Sequence, residues 1–319
     1  MKKVFSLISV CFAVLFFVSC ASVPKAQLQP QDRFYWTIEG TSKNGQPAFV
    51  HVLGTVHMGD DRLYPLPETV MNDFNKSKRV VAEIGADDMN ELEVKLMTVM
   101  MESVLKSMGR DLSKELTPEE LDFLVDQLGM ETFTSLSRLE PWLITYTLAS
   151  QQWTDSGLTA EKGIDTVLME MLNNSGRKWE GLDTVDFQLK VLRYGTYDQQ
   201  VYMLKDEISD LMDQEKTDET LLKMYEAYLN ADLEMMTEVC FDDEEEQEAE
   251  MEDLDPEIVE FLVGYNDLIL TQRNKAWAEK IKEWIKEGEE TFIFAGSAHF
   301  LGKESVFEYL KKNGVLVKD

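Results

Sequence analysis

The sequence predicts an α/β protein with a mixed central sheet and a large helical insertion or cap. A β-rich apolar run that ends in Gly54-Thr55-Val56-His57 has a counterpart near the other end of the chain, where Gly296-Ser297-Ala298-His299 follows a similar run. Between the two, apolar residues recur three and four apart over much of 87–231, which indicates helices. We therefore expect two strand-Gly-x-x-His halves on either side of a helical middle.

The first half contains the unit of a parallel sheet. The runs FYWTIEG and PAFVHVLG are joined by a loop with Asn44-Gly45, and this pattern predicts a β-hairpin. Pro67 is expected to open a helix that continues to about Lys76. RVVAEI, residues 79–84, then predicts a short buried strand with a carboxylate, Glu83, near its end. Strand, helix and strand in this order favour parallel pairing.

The second half follows a helical insertion at about 87–240, which is interrupted by one strand-like stretch at 177–183. Residues 242–253, DDEEEQEAEMED, carry one sign of charge without an apolar period, and they predict a disordered acidic loop. A long helix should then end at Gly288. A strand at 291–296, a helix and a last strand, VLVK, are expected to complete the domain.

The N-terminus predicts export. Lys2 and Lys3 precede an apolar stretch that is shorter than the roughly 20 residues of a transmembrane helix, so 1–19 is interpreted as a lipoprotein-type signal peptide. Cys20 would then carry lipid, although ordinary cleavage after Ala21 also fits. Residues 20–32 form a polar tether to a single domain at 33–319. The predicted location is the bacterial cell envelope, outside the cytoplasm and lipid-anchored to a membrane.

Composition limits the classes of partner. The formal net charge is −29, which disfavours nucleic acid and anionic lipid surfaces. Contact with a membrane is therefore expected through the lipid anchor only. Of three cysteines, Cys11 leaves with the signal and Cys20 would be acylated. Cys240 then remains alone, so no intramolecular disulfide is expected.

The histidines are candidates for a metal site. Ligands bind α/β sheets at the carboxyl ends of the strands, and His57 and His299 each follow such an end. Glu83 can join them there, and two imidazoles with a carboxylate suit zinc, manganese or cobalt. The alternative is that both histidines are ordinary loop residues. His51 lies within the predicted strand and is interpreted as a sheet-face residue.

The order of the motifs resembles the TraB/GumN family, whose animal relatives are the Tiki metalloproteases. The resemblance is carried by WTIEG, VHVLGTVHMGDDRLYPLP, VVAEI, GIDTVLME, GLDTVDFQ and TQRNKAWAEKI with FIFAGSAHFLGKESVFEYLKKNGV. It implies that His57, His299 and Glu83 serve divalent-metal-dependent peptide cleavage, with manganese or cobalt favoured.

The resemblance also implies roles for three further residues. The family's Arg-Asn pair falls on Arg273-Asn274, and Arg273 would hold Glu83 or a developing oxyanion. Asn274 is a secondary candidate. The family often has Gly-Leu-Glu where this chain has Gly181-Leu182-Asp183. Asp183 is one methylene shorter, so a site role there would need a shifted backbone.

These features predict a lipid-anchored, metal-dependent hydrolase that acts on peptides, with Glu83 and Arg273 as catalytic residues. A non-catalytic lipoprotein that binds peptides or sequesters a pheromone is the alternative. A metal-free hydrolase with His57 as general base is a third possibility.

Overall fold

A computed structural model of the protein describes residues 33–155, 157–241, 251 and 254–316. The predicted signal peptide, Cys20 and the tether lie outside the described residues. So does the predicted acidic loop, apart from Met251.

Five strands form one mixed sheet in the order β1-β2-β5-β3-β4. Their bounds are β1 Tyr35–Thr41, β2 Pro47–Thr55, β3 Arg79–Ile84, β4 Glu180–Asp183 and β5 Thr291–Gly296. β1 is antiparallel to β2, and the other neighbouring pairs are parallel. The predicted α/β class and mixed sheet are thus confirmed. Because β1 runs against β2, it begins with Tyr35 opposite Leu53, beside the carboxyl end of β2.

The described helices lie between the strands and after β5. They are α1 Glu68–Lys76, α2 Ala86–Lys106, α3 Pro118–Leu128, α4 Met130–Leu136, α5 Trp142–Asp155, α6 Ile164–Ser175, α7 Val185–Leu192, α8 Tyr197–Leu211, α9 Gln214–Leu229, α10 Leu233–Cys240, α11 Pro256–Asn266, α12 Gln272–Glu287 and α13 Val306–Lys312. Short 3₁₀ turns lie at Asp61–Leu63, Leu112–Lys114, Ala160–Lys162 and Ser297–Phe300, and a π-helical turn at Asp267–Thr271 joins α11 to α12.

Helices cover both faces of the sheet. On one face Phe74 of α1 packs edge-on against Phe292 of β5, with ring centroids 5.4 Å apart. On the other face Trp36 of β1 packs against Phe307 of α13 at 5.1 Å. The central strand β5 is buried at every residue, as expected for a strand covered on both faces. This packing fixes the position of the strand ends that carry the histidine motifs.

Much of the helical insertion has a small core of its own. Leu124, Ile144, Leu148, Leu204 and Ile208 form a buried cluster separate from the one around the sheet. Several of these helices begin at residues that favour a helix start. Thr117 and Glu120 form a capping box at the start of α3, and Pro118 is the first residue of the helix. The predicted strand within this region is β4. Among the described residues, no helix is long and apolar enough to cross a membrane.

The predicted last strand is wrong for its described part. Val315 and Leu316 are not in a strand, because their amides bond to the carbonyl of Leu310 at the end of α13. Gly314 takes a left-handed conformation there, with φ of 71°, which closes the helix. Both edges of β5 are already paired with β2 and β3, so no further strand can join it. Residues 317 and 318 lie outside the described part.

Candidate functional site

Two histidine motifs meet at one edge of the sheet because β2 and β5 are parallel neighbours. Gly54 pairs with Ala295 and Thr55 with Gly296, so the ends of the two strands are level. β3, which carries Glu83, lies on the other side of β5. The strand order therefore places all three carboxyl ends together. This is the part of an α/β sheet where ligands bind.

The glycines of the motifs allow close packing, and neither takes a positive φ. A Cβ on Gly54 would lie 3.0 Å from the Cα and Cβ of Ser297, so the first motif packs directly on the second. Ser297 also donates a hydrogen bond to the Thr55 carbonyl at 3.1 Å. Close approach to Ser297, and not a left-handed turn, is therefore the reason for glycine at position 54.

His57 is held by a carboxylate from the helical region. Its Nδ1 lies 2.9 Å from Oδ2 of Asp165, the second residue of α6, and Thr55 donates to the other carboxylate oxygen. The amide of Ile164 bonds to the Val56 carbonyl at 3.1 Å. Gly163 permits this approach, since a Cβ there would lie 2.1 Å from the His57 carbonyl oxygen. The start of α6 is thus fixed to the first motif.

The carboxylate of Asp165 raises the pKa of His57 to about 9. Burial opposes this shift, while the charge of Glu83 adds to it and that of Arg273 opposes it. The side chain is 41 % exposed, so Nδ1 is anchored while the imidazole remains open to a ligand from solvent. Without a metal, the imidazole is therefore mainly protonated at neutral pH.

Replacing Asp165 by asparagine should return the pKa of His57 toward 6.5, because the main source of its rise is removed. Imidazole NMR of the metal-free protein measures this directly, since the chain has three histidines. The stabilisation from this pair is present below about pH 6.5 and is lost as pH rises through about 9. Asp61→Asn, at an exposed aspartate of the next loop, is the control. An unchanged midpoint in Asp165→Asn would contradict the assigned contact.

His299 is held by an amide that fixes its tautomer. Asn274 Nδ2 donates to the Glu304 carbonyl at 2.7 Å, which sets the orientation of the amide group. Its Oδ1 then faces His299 Nδ1 at 2.7 Å and accepts the hydrogen bond. Nδ1 therefore carries the proton, and Nε2 presents a lone pair.

The Nε2 atom of His299 has no hydrogen-bond partner among the described residues, although it is fully buried. Burial lowers the pKa of His299 well below its usual value, and the charges of Arg273 and His57 lower it further. The imidazole is consequently neutral. A buried, unpaired lone pair costs about 1–3 kcal/mol, so this atom is the position in the site that most needs a ligand.

Glu83 lies in a buried network of charges. Its Oε2 accepts from Arg273 at 2.5 Å and its Oε1 from the amide of Gly296 at 2.9 Å. The pairing of β3 with β5 extends from Arg79 to Val81, so Glu83 reaches across to β5 by its side chain. Burial raises the pKa of Glu83, but the charges of Arg273 and His57 and the hydrogen bond from the Gly296 amide outweigh it. The resulting pKa lies well below the usual range.

Arg273 joins two strands through two carboxylates. Its Nε donates to Asp183 of β4 at 2.7 Å, and Asp183 also accepts from the indole of Trp277 at 2.9 Å. The shorter side chain at 183 therefore reaches Arg273. The π-helical turn at Asp267–Thr271 ends two residues before Arg273 and three before Asn274. Such turns are common at functional sites, and this one precedes the two residues that hold Glu83 and His299.

The structure thus places the candidates in one electrostatic network, since Glu83 and Arg273 each shift the pKa values of both His57 and His299. It does not bring the three proposed ligands into a preformed triad. A different group of three comes closer to a preformed metal site. Among the described residues, only His51, Asp73 and Glu290 are His, Cys, Asp or Glu residues with ligand atoms that all lie within 4.8 Å of one another.

The His51 cluster is already partly neutralised by a lysine. Lys76 Nζ lies 2.7 Å from Asp73 and 3.0 Å from Glu290, and both nitrogens of His51 have partners. His51 lies in β2, as predicted, six residues before His57. At about 3.3 Å per strand residue this is roughly 20 Å away. A metal at this cluster would compete with Lys76, so it is the weaker of the two places.

Sequence reasoning missed three residues that touch the site. Asp165 anchors His57, Trp277 donates to Asp183, and Gln188 donates to Glu83 at 3.4 Å. Asp165 had a signal, since it lies in GIDTVLME, one of the motifs that carried the resemblance. Gln188 and Trp277 also lie in such motifs, GLDTVDFQ and TQRNKAWAEKI, but the residue types alone did not indicate a site role, because single amides and indoles on helices are common.

The fold and this edge define a class: an α/β protein in which two strand-Gly-x-x-His ends meet a buried carboxylate–arginine network. A comparison with family models gives the same grouping, since the model of the TraB/PrgY/gumN family matches residues 34–319. The chain therefore belongs to the TraB/PrgY/gumN family. It is also 26% identical over 311 residues to an uncharacterized protein of Treponema pallidum (strain Nichols), covering 94% of this chain and 88% of that protein. No solved structure matches.

Proposed function

We propose that this protein is a metal-dependent hydrolase of the bacterial cell envelope, anchored by lipid at Cys20, that cleaves peptides. The observation that carries the proposal is the shared arrangement of His57 and His299. Each has Nδ1 held by an oxygen of a neighbouring side chain, Asp165 or Asn274. Histidines that bind metals are held in this way, with the second nitrogen directed at the ion.

The side chains present fit a divalent metal through the two imidazoles. Nε2 of His299 offers an unpaired lone pair, and His57, which is 41% exposed, acts electrostatically on His299. Both would hold the ion, which when bound supplies Lewis acidity toward water and a carbonyl group. Two nitrogens and an oxygen suit zinc, manganese or cobalt. Binding at His57 must release its proton, so metal affinity should rise with pH.

Glu83 is the third member of the proposed ligand set. Both of its oxygens already accept hydrogen bonds, from Arg273 and from the Gly296 amide. A carboxylate oxygen has more than one lone pair, so an oxygen of Glu83 can still reach the ion. Its low pKa keeps it ionised across the neutral range. Arg273 fixes its orientation, and so acts as a positioning residue for it.

The metal-free alternative is less well supported. A general base works best when its pKa is near the operating pH, whereas Asp165 raises the pKa of His57 to about 9. At pH 7 only about one molecule in a hundred would hold a neutral His57. Without a metal this imidazole is suited to donate a proton rather than to accept one.

Metal content and cleavage together test the proposal. The full-length protein, extracted from membranes, should contain a stoichiometric transition metal and cleave members of a mixed peptide library supplemented with manganese, cobalt or zinc. Mass spectrometry of the library gives the products, and the intact mass of the protein tests acylation of Cys20. Peptides that bind but are never cleaved under any of these metals would instead support the peptide-binding alternative. A protein that takes up no metal would refute the metal site.

A further inference from the structure

Helix α2 has an apolar face on each of two sides. Its inner face, with Leu92, Leu96 and Val99, packs in a cluster with Trp142 and Val185. On the outer side a second set of large apolar residues is exposed to solvent. We call this set the α2 seam, and it consists of Val94, Met97, Met101, Val104, Leu105 and Met108. A soluble helix normally has one apolar face, so the second one needs a partner.

Within α2 the seam is spaced as in a coiled coil. Residues 94, 97, 101 and 104 follow one another at three, four and three, which are positions a and d of a heptad, and Leu105 adds position e. Met108 lies two residues past the end of the helix, with φ of 53°. The charged residues Lys95, Glu102 and Lys106 fall at positions b and f, outside the seam. Positions a, d and e together form the kind of face by which a helix packs against a neighbouring element. A helix of a second chain can cover this face.

The exposed area is large enough to support an interface. The six side chains are between 55% and 86% exposed, and together they leave on the order of 700 Å² uncovered. This exceeds the roughly 300–600 Å² of the largest patch on a typical monomer. It is also close to the roughly 800 Å² per partner of a standard protein–protein interface.

We propose that the α2 seam is a dimer interface, in which α2 of one chain packs against α2 of a second copy about a two-fold axis at Met101. A two-fold interface pairs one surface with itself, and the seam meets this need because it is apolar throughout, with Met97 and Leu105 equally spaced about Met101. Met97 of one copy lies opposite Leu105 of the other when the helices are antiparallel. Met101 faces its own copy in either orientation.

The test is the oligomeric state of the full-length protein in mild detergent at micromolar concentration and about 0.15 M salt, where charges are screened beyond about 8 Å. Wild type should sediment as a dimer. Met101→Glu and Leu105→Glu should each weaken the dimer by at least about 100-fold, because a charge would be buried twice. Leu222→Glu is the matched control, since Leu222 is 46% exposed on α9 and lies outside the seam; it should remain dimeric.

A second readout does not depend on a destabilising substitution. Met101→Cys should form a disulfide-linked dimer under mild oxidant, and Leu222→Cys should not. A monomeric wild type, or a dimer unaffected by both glutamate variants, would overturn the proposal. So would a wild-type monomer that binds lipid vesicles through the seam, because the partner would then be a membrane.

Discussion

Arg273→Ala is expected to lower the free energy of unfolding by about 3–5 kcal/mol, because removing one partner of a buried ion pair leaves the other charge uncompensated. Arg273 is 2% exposed and neutralises two carboxylates, Glu83 and Asp183. Denaturant unfolding followed by circular dichroism measures the loss. Arg62→Ala is the matched control, since Arg62 pairs with Asp60 at the surface and should cost about 0–1 kcal/mol.

A second variant separates two causes of the lower stability of Arg273→Ala: the unpaired buried charges and the smaller side-chain volume. Arg273→Met combined with Glu83→Gln and Asp183→Asn removes all three charges, and it should recover much of the stability lost in Arg273→Ala. Acid gives a further check. The depressed pKa of Glu83 contributes stability that is present above about pH 4.5 and is lost as pH falls toward its folded value. If Arg273→Ala kept wild-type stability and acid dependence, the buried network would carry no free energy.

His57→Ala should reduce peptide cleavage by at least roughly 100-fold, and adding His299→Ala should cost little more, because residues that act as a unit cannot each be lost at full cost. The assay is initial rates on a cleaved library peptide with saturating manganese or cobalt, together with metal content for each variant. Circular dichroism verifies the fold. Bound metal should fall in parallel with activity.

His51→Ala is the matched control for this series. It removes the third histidine of the chain, on the same strand as the first motif but in the separate Lys76 cluster. Cleavage should remain near wild type, although stability should fall because His51 is buried. Full activity in the folded His57, His299 double variant would refute the site assignment. Loss of activity and metal in His51→Ala alone would move the metal to the other cluster.

The parts of the fold that local patterns control could be predicted from the sequence. RVVAEI and TFIFAG became β3 and β5 with the predicted bounds, since short β-rich runs between helices leave few alternatives. The strand order could not be predicted. Insertion of β5 between β2 and β3 makes the two motifs neighbours, and it depends on contacts between residues far apart in the chain. The motif repeat alone indicated only that the two histidines could meet.

The candidate site shows the same limit. Histidine and glutamate at strand ends were identified because their positions follow from strand boundaries. Asp165 lies on a helix more than a hundred residues away from His57, and only the folded chain shows that Gly163 lets α6 approach. Val315 and Leu316 show the opposite error: a β-rich pair lies at the end of a helix, where both amides bond to the carbonyl of Leu310.

The direction of β1 has a consequence for the substrates within reach. Because β1 is antiparallel to β2, the domain begins at the same edge of the sheet as the histidines, where the amide of Gly54 bonds to the carbonyl of Phe34 at 2.7 Å. The twelve residues 21–32 can span at most about 40 Å. A lipid on Cys20 would therefore hold the end of the sheet that carries the histidines within about 40 Å of the membrane. Peptides at the membrane surface would meet the histidines before those free in the surrounding fluid.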